Sequence, residues 1–387
     1  MLNNNQTDEV CITATQLNII FDTRLFWREI VYWTRVFFNS VFSGIGSSAE
    51  VYAKLFNIPA AYAYMLRLIL RRPVADRYQL LFSRYIILLR ELVTAVINGD
   101  TELINEKVSG LYRNSAERAE FIAGVFPSLS KDVIEDMLNT FVRYKIEEIN
   151  AYISQDYSRT IEIYDNLLLH ADNMADYLSQ AIIDLITAAP ASGSSPVGDS
   201  TYNQDSGICI TNDELDIILS IAMFWVELAA WFRAYRISVM AGTSDSEVLY
   251  SRLNQHLIDF GNNLKTFLDE ETVDTHVALL QEYISLMDRL LNARISNNIE
   301  EMNRVYQLTV DNINARAVFL ASVFPSLSEE EWRNRLTTIH SYFIEMAAAF
   351  LSGDFTKNIT IFEGLINQAE DIGFFFVESL FELLSGN

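Results

Sequence analysis

The chain matches itself. Phe121-Ile122-Ala123-Gly124-Val125-Phe126-Pro127-Ser128-Leu129-Ser130 returns 198 positions later as Phe319-Leu320-Ala321-Ser322-Val323-Phe324-Pro325-Ser326-Leu327-Ser328. That one shift aligns nearly all of both halves without a gap. A self-match at a fixed period implies two copies of one structural unit, each needing its own buried core. The expected organisation is a disordered tail over 1–9, a helical-bundle repeat over 10–187, a Pro/Gly/Ser linker over 188–207 and a second repeat over 208–387. The linker opens Ala188-Ala189-Pro190-Ala191-Ser192-Gly193 and has no apolar period.

Within each half the apolar spacing is helical. Thr13 with Gln16, and Thr211 with Glu214, read as capping boxes. They open first helices over about 14–42 and 212–240. Ile19, Phe26, Ile30, Trp33 and Phe37 share one face, matched by Ile217, Phe224, Leu228, Trp231 and Tyr235. Gly44 with Gly242, and Gly99 with Asn297, suit left-handed turns after helices. Pro59, whose counterpart is Leu257, predicts that 49–71 splits into two short helices. Later helices are expected over about 74–98, 101–124, 131–154 and 157–187, with equivalents in the second half. No segment alternates like a strand between turn signals. The expected fold is all-α, two tandem repeats of a four-helix-bundle-like unit with about five to six helices each.

Composition narrows the function classes. Half the residues are apolar and the mean hydropathy is +0.13, so much surface must be buried in cores or between subunits. No uncharged apolar run approaches the roughly 20 residues of a membrane span, so none is expected. The polar opening Met1 to Glu9 has neither a signal nor a transit pattern, and a cytoplasmic location follows as an expectation. The formal charge of −23 opposes nucleic acid binding, which needs a basic surface. Residues 10–187 hold 17 basic and 21 acidic side chains (17 − 21 = −4), whereas 208–385 hold 11 and 26 (11 − 26 = −15). Cys11 and Cys209 occupy equivalent positions, too few for a disulfide framework, and read as small apolar residues ahead of a helix, a bond between them being the lesser alternative.

Helical bundles commonly hold metals with Glu-x-x-His pairs. None of His170, His256, His276 and His340 follows a Glu by three, and no two are three or four apart. His340 falls on an apolar face opposite Val142 of the first half, which makes it a core residue; His170, opposite Gln368, reads as solvated. Glu29 and Glu227, one turn before Trp33 and Trp231, are the best inward carboxylates, and the recurring Arg35 and Arg233 make an internal ion pair the plainer explanation. There is no nucleophile elbow and no Gly-rich phosphate loop. No catalytic residue, metal or cofactor is expected. Glu29, Tyr85, Glu227, Tyr283 and His340 are the side chains able to serve a small ligand.

Phe26-Trp27-Arg28-Glu29-Ile30-Val31-Tyr32-Trp33-Thr34-Arg35 resembles a family of small helical-bundle proteins from spore-forming Firmicutes, mostly uncharacterised and sometimes mislabelled acetylglutamate kinase. The likeness continues in Glu91-Leu92-Val93, Asn114 to Phe121, Met174-Ala175-Asp176 and Phe324 to Trp332, and covers most of each half. Family members look like one such unit, and this chain like two fused. In the relatives the first, third and fifth helices tend to carry a His, implying a metal or ligand pocket. The matching positions here are Ile30, Tyr85 and Phe141, then Leu228, Tyr283 and Ile339, so the resemblance implies the fold without the imidazole site. The expected function is therefore non-catalytic: a structural or assembly-forming protein acting through protein partners, as a homo-oligomer. The alternative is a small-ligand or metal-binding bundle of the ferritin-like kind.

Overall fold

A computed structural model describes residues 9–188, 208–325 and 327–385. Most of the expected tail, the linker from 189 to 207 and Ser326 of the repeated turn lie outside the described residues. The chain divides into compact units at Met1–Ile210 and Thr211–Asn387. The first contains β1 (Glu9–Ile12), α1 (Ala14–Phe42), α2 (Ser48–Leu66), α3 (Arg72–Asn98), α4 (Thr101–Val125), α5 (Lys131–Ile153) and α6 (Tyr157–Ala188). After β2 (Ile208–Thr211) come α7 (Asn212–Ala241), α8 (Ser246–Leu264), α9 (Glu270–Ile295), α10 (Ile299–Val323), α11 (Glu329–Leu351) and α12 (Phe355–Ser385). The fold is all-α. Helices of the first set start at 14, 48, 72, 101, 131 and 157, and those of the second at 212, 246, 270, 299, 329 and 355, each 198 later.

The shared starts have a local cause. Thr13 and Thr211 form both halves of their capping boxes with Gln16 and Glu214. Asp100 and Asn298 cap α4 and α10, and Ser130 and Ser328 cap α5 and α11. At the other ends Gly44, Gly99 and Gly242 take positive φ, as does Asn297 at +53°, so the turn survives the Gly-to-Asn exchange.

Two expectations are corrected. Residues 48–66 form one helix with Pro59 inside it. Proline removes one amide donor, and the flanking buried residues Leu55, Ile58, Tyr62 and Ala63 hold the segment together across the gap. In addition, Glu9–Ile12 and Ile208–Thr211 pair as a two-stranded sheet. These segments contain the two cysteine positions, and their β-branched residues favour extended backbone. Four residues are too few to establish an alternating pattern.

In each unit consecutive helices are neighbours and the sixth returns to the first, closing a ring; α1 also touches α5, and α7 also touches α11 and α9. The first helix of each ring is the core helix. Phe26, Trp27, Ile30, Trp33 and Phe38 of α1 are buried, and α7 buries seventeen residues around its circumference. By length and composition α7 could cross a membrane, with a window of mean hydropathy 1.8, contrary to the expectation that no segment reaches that length. Glu227 interrupts the apolar run, which is why run length passes it over. Of that window 67% is buried inside the fold, as a core helix requires.

The two rings close differently. In the first, Arg24 Nε and Nη2 donate to Asp176 at 2.7 and 2.6 Å, and Arg28 Nε and Nη2 donate to Asp172 at 2.7 and 2.5 Å, tying α1 to α6. The second has Ala222, Phe374, Val226 and Glu370 at those positions. There α7 and α12 approach at Gly373, where an added Cβ would overlap the Ala222 carbonyl oxygen. The opposing atom is backbone and can yield only if a helix shifts. Gly373→Ala is therefore expected to destabilise the protein by about 1–3 kcal/mol, read as a lower urea midpoint. An unchanged midpoint would show that the helices are free to separate.

Candidate functional site

Asn114 and Arg118 lie one turn apart on the inner face of α4. Asn114 Nδ2 donates to the Leu81 carbonyl at 3.1 Å, and in the second unit Asn312 Nδ2 donates to the Leu279 carbonyl at the same distance. This bond fixes the register of the fourth helix against the third, and it delivers Arg118 and Arg316 into the core. Arg118 is 1% exposed, with its guanidinium 4.8 Å from the ring centres of Phe82 and Tyr85. Arg316 lies 5.2 Å from Tyr283 and 5.9 Å from Trp225. No nitrogen of the Arg118 guanidinium has a hydrogen-bond partner, nor do Nε and Nη2 of Arg316. Burial lowers both to about 10, so each remains a cation at neutral pH, held by ring faces.

Each unit also buries a cation between its first and fifth helices, and its placement differs. In the first, Lys145 of α5 donates to Glu148 at 2.9 Å and to the Val31 carbonyl at 3.3 Å; the two side chains are 1% and 0% exposed. Lys145 lies 5.7 Å from the Phe38 ring. In the second unit Phe343 and Met346 replace Lys145 and Glu148, and Arg236 replaces Phe38. Ring and cation have exchanged helices, and the carboxylate is gone. Arg236 Nη1 donates to the Phe343 carbonyl at 3.0 Å, while Nε has no partner.

Arg236, 2% exposed, lines a cavity of about 160 Å³ between α7, α9, α10 and α11. Arg294, Asn303 and Tyr306 supply its other polar groups; Leu290, Leu291, Ile344 and Ala347 supply apolar wall. Among the described residues neither Arg236 nor Arg294 has a carboxylate within ion-pair reach. Burial lowers Arg236 to about 10; Tyr283, Asp288 and Tyr235 oppose that shift and neighbouring Arg294 adds to it. At the corresponding positions the first unit has Phe38 for Arg236, Val96 for Arg294, Val108 for Tyr306 and the larger Ile149 for Ala347. Hydrocarbon takes the place of both guanidiniums and of the Tyr306 hydroxyl, while Asn303 keeps its counterpart in Asn105.

Beside this cavity two of the expected ligand-serving residues meet. Tyr283 Oη and His340 Nδ1 are 3.3 Å apart, and the His340 ring lies 5.8 Å from that of Tyr306. With Tyr283 donating, the proton of His340 sits on Nε2, which has no partner. Burial, then Arg236, lowers His340 to about 4. His276, farther up α9, is buried with both ring nitrogens unpartnered, stacked 5.9 Å from Phe319; burial and then Arg316 lower it to about 3. Both are neutral at pH 7.

The other expected residues fall elsewhere. Tyr85 is buried against Arg118, 6.3 Å from the Phe141 ring, with its hydroxyl unpartnered. Glu29 accepts from Tyr32 Oη at 3.2 Å, and Glu227 lies 3.7 Å from His256 Nδ1. Arg233 does not pair with Glu227: its Nη2 donates to Asn358 and its guanidinium covers the Phe362 ring, an arrangement repeated by Arg35 with the Thr160 carbonyl and the Tyr164 ring. Both point along α7 or α1 toward the sixth helix of the ring. His170 is half-buried, not solvated, with Nε2 2.8 Å from the Met137 carbonyl. Ile30, Tyr85, Phe141, Leu228, Tyr283 and Ile339, where the resembling family carries His, are all buried.

Sequence reasoning missed Arg118, Arg316, Arg236, Lys145 and His276. A signal existed for Arg118: it is seven residues after Leu111 and four before Ile122, on the apolar face, and its match at 316 is also Arg. Among the described residues no three His, Cys, Asp or Glu side chains come together where they could hold a metal ion. No family model, curated protein or solved structure matches this chain.

Proposed function

We propose that this is a non-catalytic protein built from two copies of one helical unit, of which the second holds a small ligand in the Arg236 cavity and the first is closed by packing. One observation carries the reading: two guanidiniums, one of them buried, line a ring-sized cavity and have no carboxylate partner. Arg118 and Arg316 are also buried without a carboxylate, but each is held against two ring faces; Arg236 instead borders open volume, at the position where the first unit places the ring of Phe38. The matched helix starts support a common unit. The apolar or aromatic residues at the six positions where the resembling family tends to carry His support a site that does not work through imidazole there. Filling the cavity tests the reading. Ring-sized fragments screened by thermal shift are expected to stabilise the native chain and to leave Ala347→Phe unmoved. If no fragment distinguishes the two proteins, the cavity is not a binding site.

A second reading, assembly through protein contacts, is favoured by large apolar side chains left outside both units. Leu68 is 81% exposed and Tyr64 70%, and Leu80, Leu169 and Ile299 are also exposed. It expects a mass by light scattering that rises with protein concentration. A constant monomer mass opposes it.

A further inference from the structure

Resting on the cavity reading, we infer that the ligand is a small organic carboxylate with an apolar body about the size of a benzene ring, its carboxylate taken by Arg236 and Arg294 and its body by the wall of Leu290, Leu291 and Ile344. The charge sets the head group. Both side chains are cations, and among its described residues the second unit, formally −15 over 208–385, places no carboxylate at ion-pair distance from either; Asp288, which acts on Arg236 from farther off, is taken up by Tyr235 and Asn292. The geometry sets its shape. Arg24 and Arg28 show how this fold satisfies a guanidinium: Nε and Nη2 together grip one carboxylate. In Arg236 the Phe343 carbonyl occupies Nη1, and Nε, one of the two atoms of that gripping edge, is buried without a partner. The volume sets the body. At about 160 Å³ the cavity equals engineered cavities of about 150 Å³ that take up benzene. A bare inorganic anion would leave the apolar wall unfilled, and a neutral ring would leave the guanidinium unsatisfied. The first unit supplies an internal contrast, since Phe38, Val96 and Val108 offer a carboxylate nothing.

Calorimetric titration of the full chain with benzoate, benzyl alcohol and inorganic phosphate separates these elements. Benzoate is expected to bind one site at least about tenfold more tightly than either of the others. Arg236→Met, which keeps the length and loses the charge, should abolish the preference for benzoate over benzyl alcohol. Arg294→Gln alters a half-exposed position at the end of α9, so it keeps the test alive if the Arg236 variant fails to fold, and it should weaken benzoate alone about three- to tenfold. Equal binding of benzyl alcohol would overturn the carboxylate inference while the cavity reading stood. Equal binding of phosphate would overturn the apolar body. Failure of both aromatic probes, with Ala347→Phe indistinguishable from the native chain, would overturn the cavity reading itself.

Discussion

Lowering the pH from 7 to 4 is expected to destabilise this protein more steeply than a variant with both core histidines replaced. In the fold His276 and His340 stay neutral down to about 3 and 4, well below the usual value near 6.5. Between pH 6.5 and 4 the unfolded chain takes up two protons that the folded chain refuses. The folded state then loses about 1.4 kcal/mol per pH unit for each histidine, or about 2.8 together. The contribution is complete above pH 6.5 and declines as the pH falls through that window; below about 4 only His276 continues it. Beyond burial, Arg236 deepens the refusal at His340 and Arg316 that at His276; Tyr283 and Tyr306 are the other groups beside the His340 ring. The first unit supplies the replacements, Val142 and Tyr78. The urea midpoint of the native chain should therefore fall relative to that of His276→Tyr/His340→Val as the pH drops from 6.5 to 4, whatever difference the two show at pH 7. Carboxylates titrate in both proteins and cancel in the comparison. Parallel curves would mean that the histidines are hydrated and ordinary.

The largest single loss is expected at Glu148. Its carboxylate is fully buried and faces Lys145, and it also raises the affinity of Arg35 for its proton. Burial pushes Lys145 in the opposite direction, toward losing its charge. Glu148→Met, which installs the second unit's residue, leaves a buried ammonium with the Val31 carbonyl as its remaining partner and should cost about 3–5 kcal/mol. Lys145→Met/Glu148→Met removes both charges at nearly constant volume and should recover most of that loss, since a packed apolar pair commonly matches a buried ion pair. A double-mutant cycle on denaturation free energies checks this. Additive effects would show that water reaches the pair and that its burial is not what makes it sensitive.

The helix starts were legible because caps are local. Thr13 and Thr211 with their N3 partners state where a helix begins whatever packs on it later, and Asn297 for Gly99 marks a turn by backbone preference alone. The core faces of α1 and α3 were legible from the 3.6-residue period, from Phe26, Trp33, Leu81 and Tyr85 in particular. The site was only half legible. Tyr283 and His340 could be picked out as polar groups on apolar faces, but they sit on α9 and α11 and nothing in their spacing brings them together. Arg236 is harder still. On a helix apolar all round, every position faces the core, so periodicity gives no sign that an arginine there is buried, and an arginine read alone is a surface residue with an apolar stem. Its meaning emerges from the exchange of Phe38 and Lys145 for Arg236 and Phe343, a paired change that links two helices only once they are seen in contact. Glu227 and Arg233, one and a half turns apart, looked like partners; the helix sends one to His256 on α8 and the other to Asn358 on α12.

The side-chain Nε–H resonance of Arg236, followed by nitrogen-15 NMR while benzoate is added, is the most direct test of a cationic cavity open in the second unit and packed shut in the first. A saturable shift at Arg236, with the Arg118 resonance unmoved, is the predicted result. An Arg236 signal that stays in place through the titration, or one that moves together with Arg118, would contradict it.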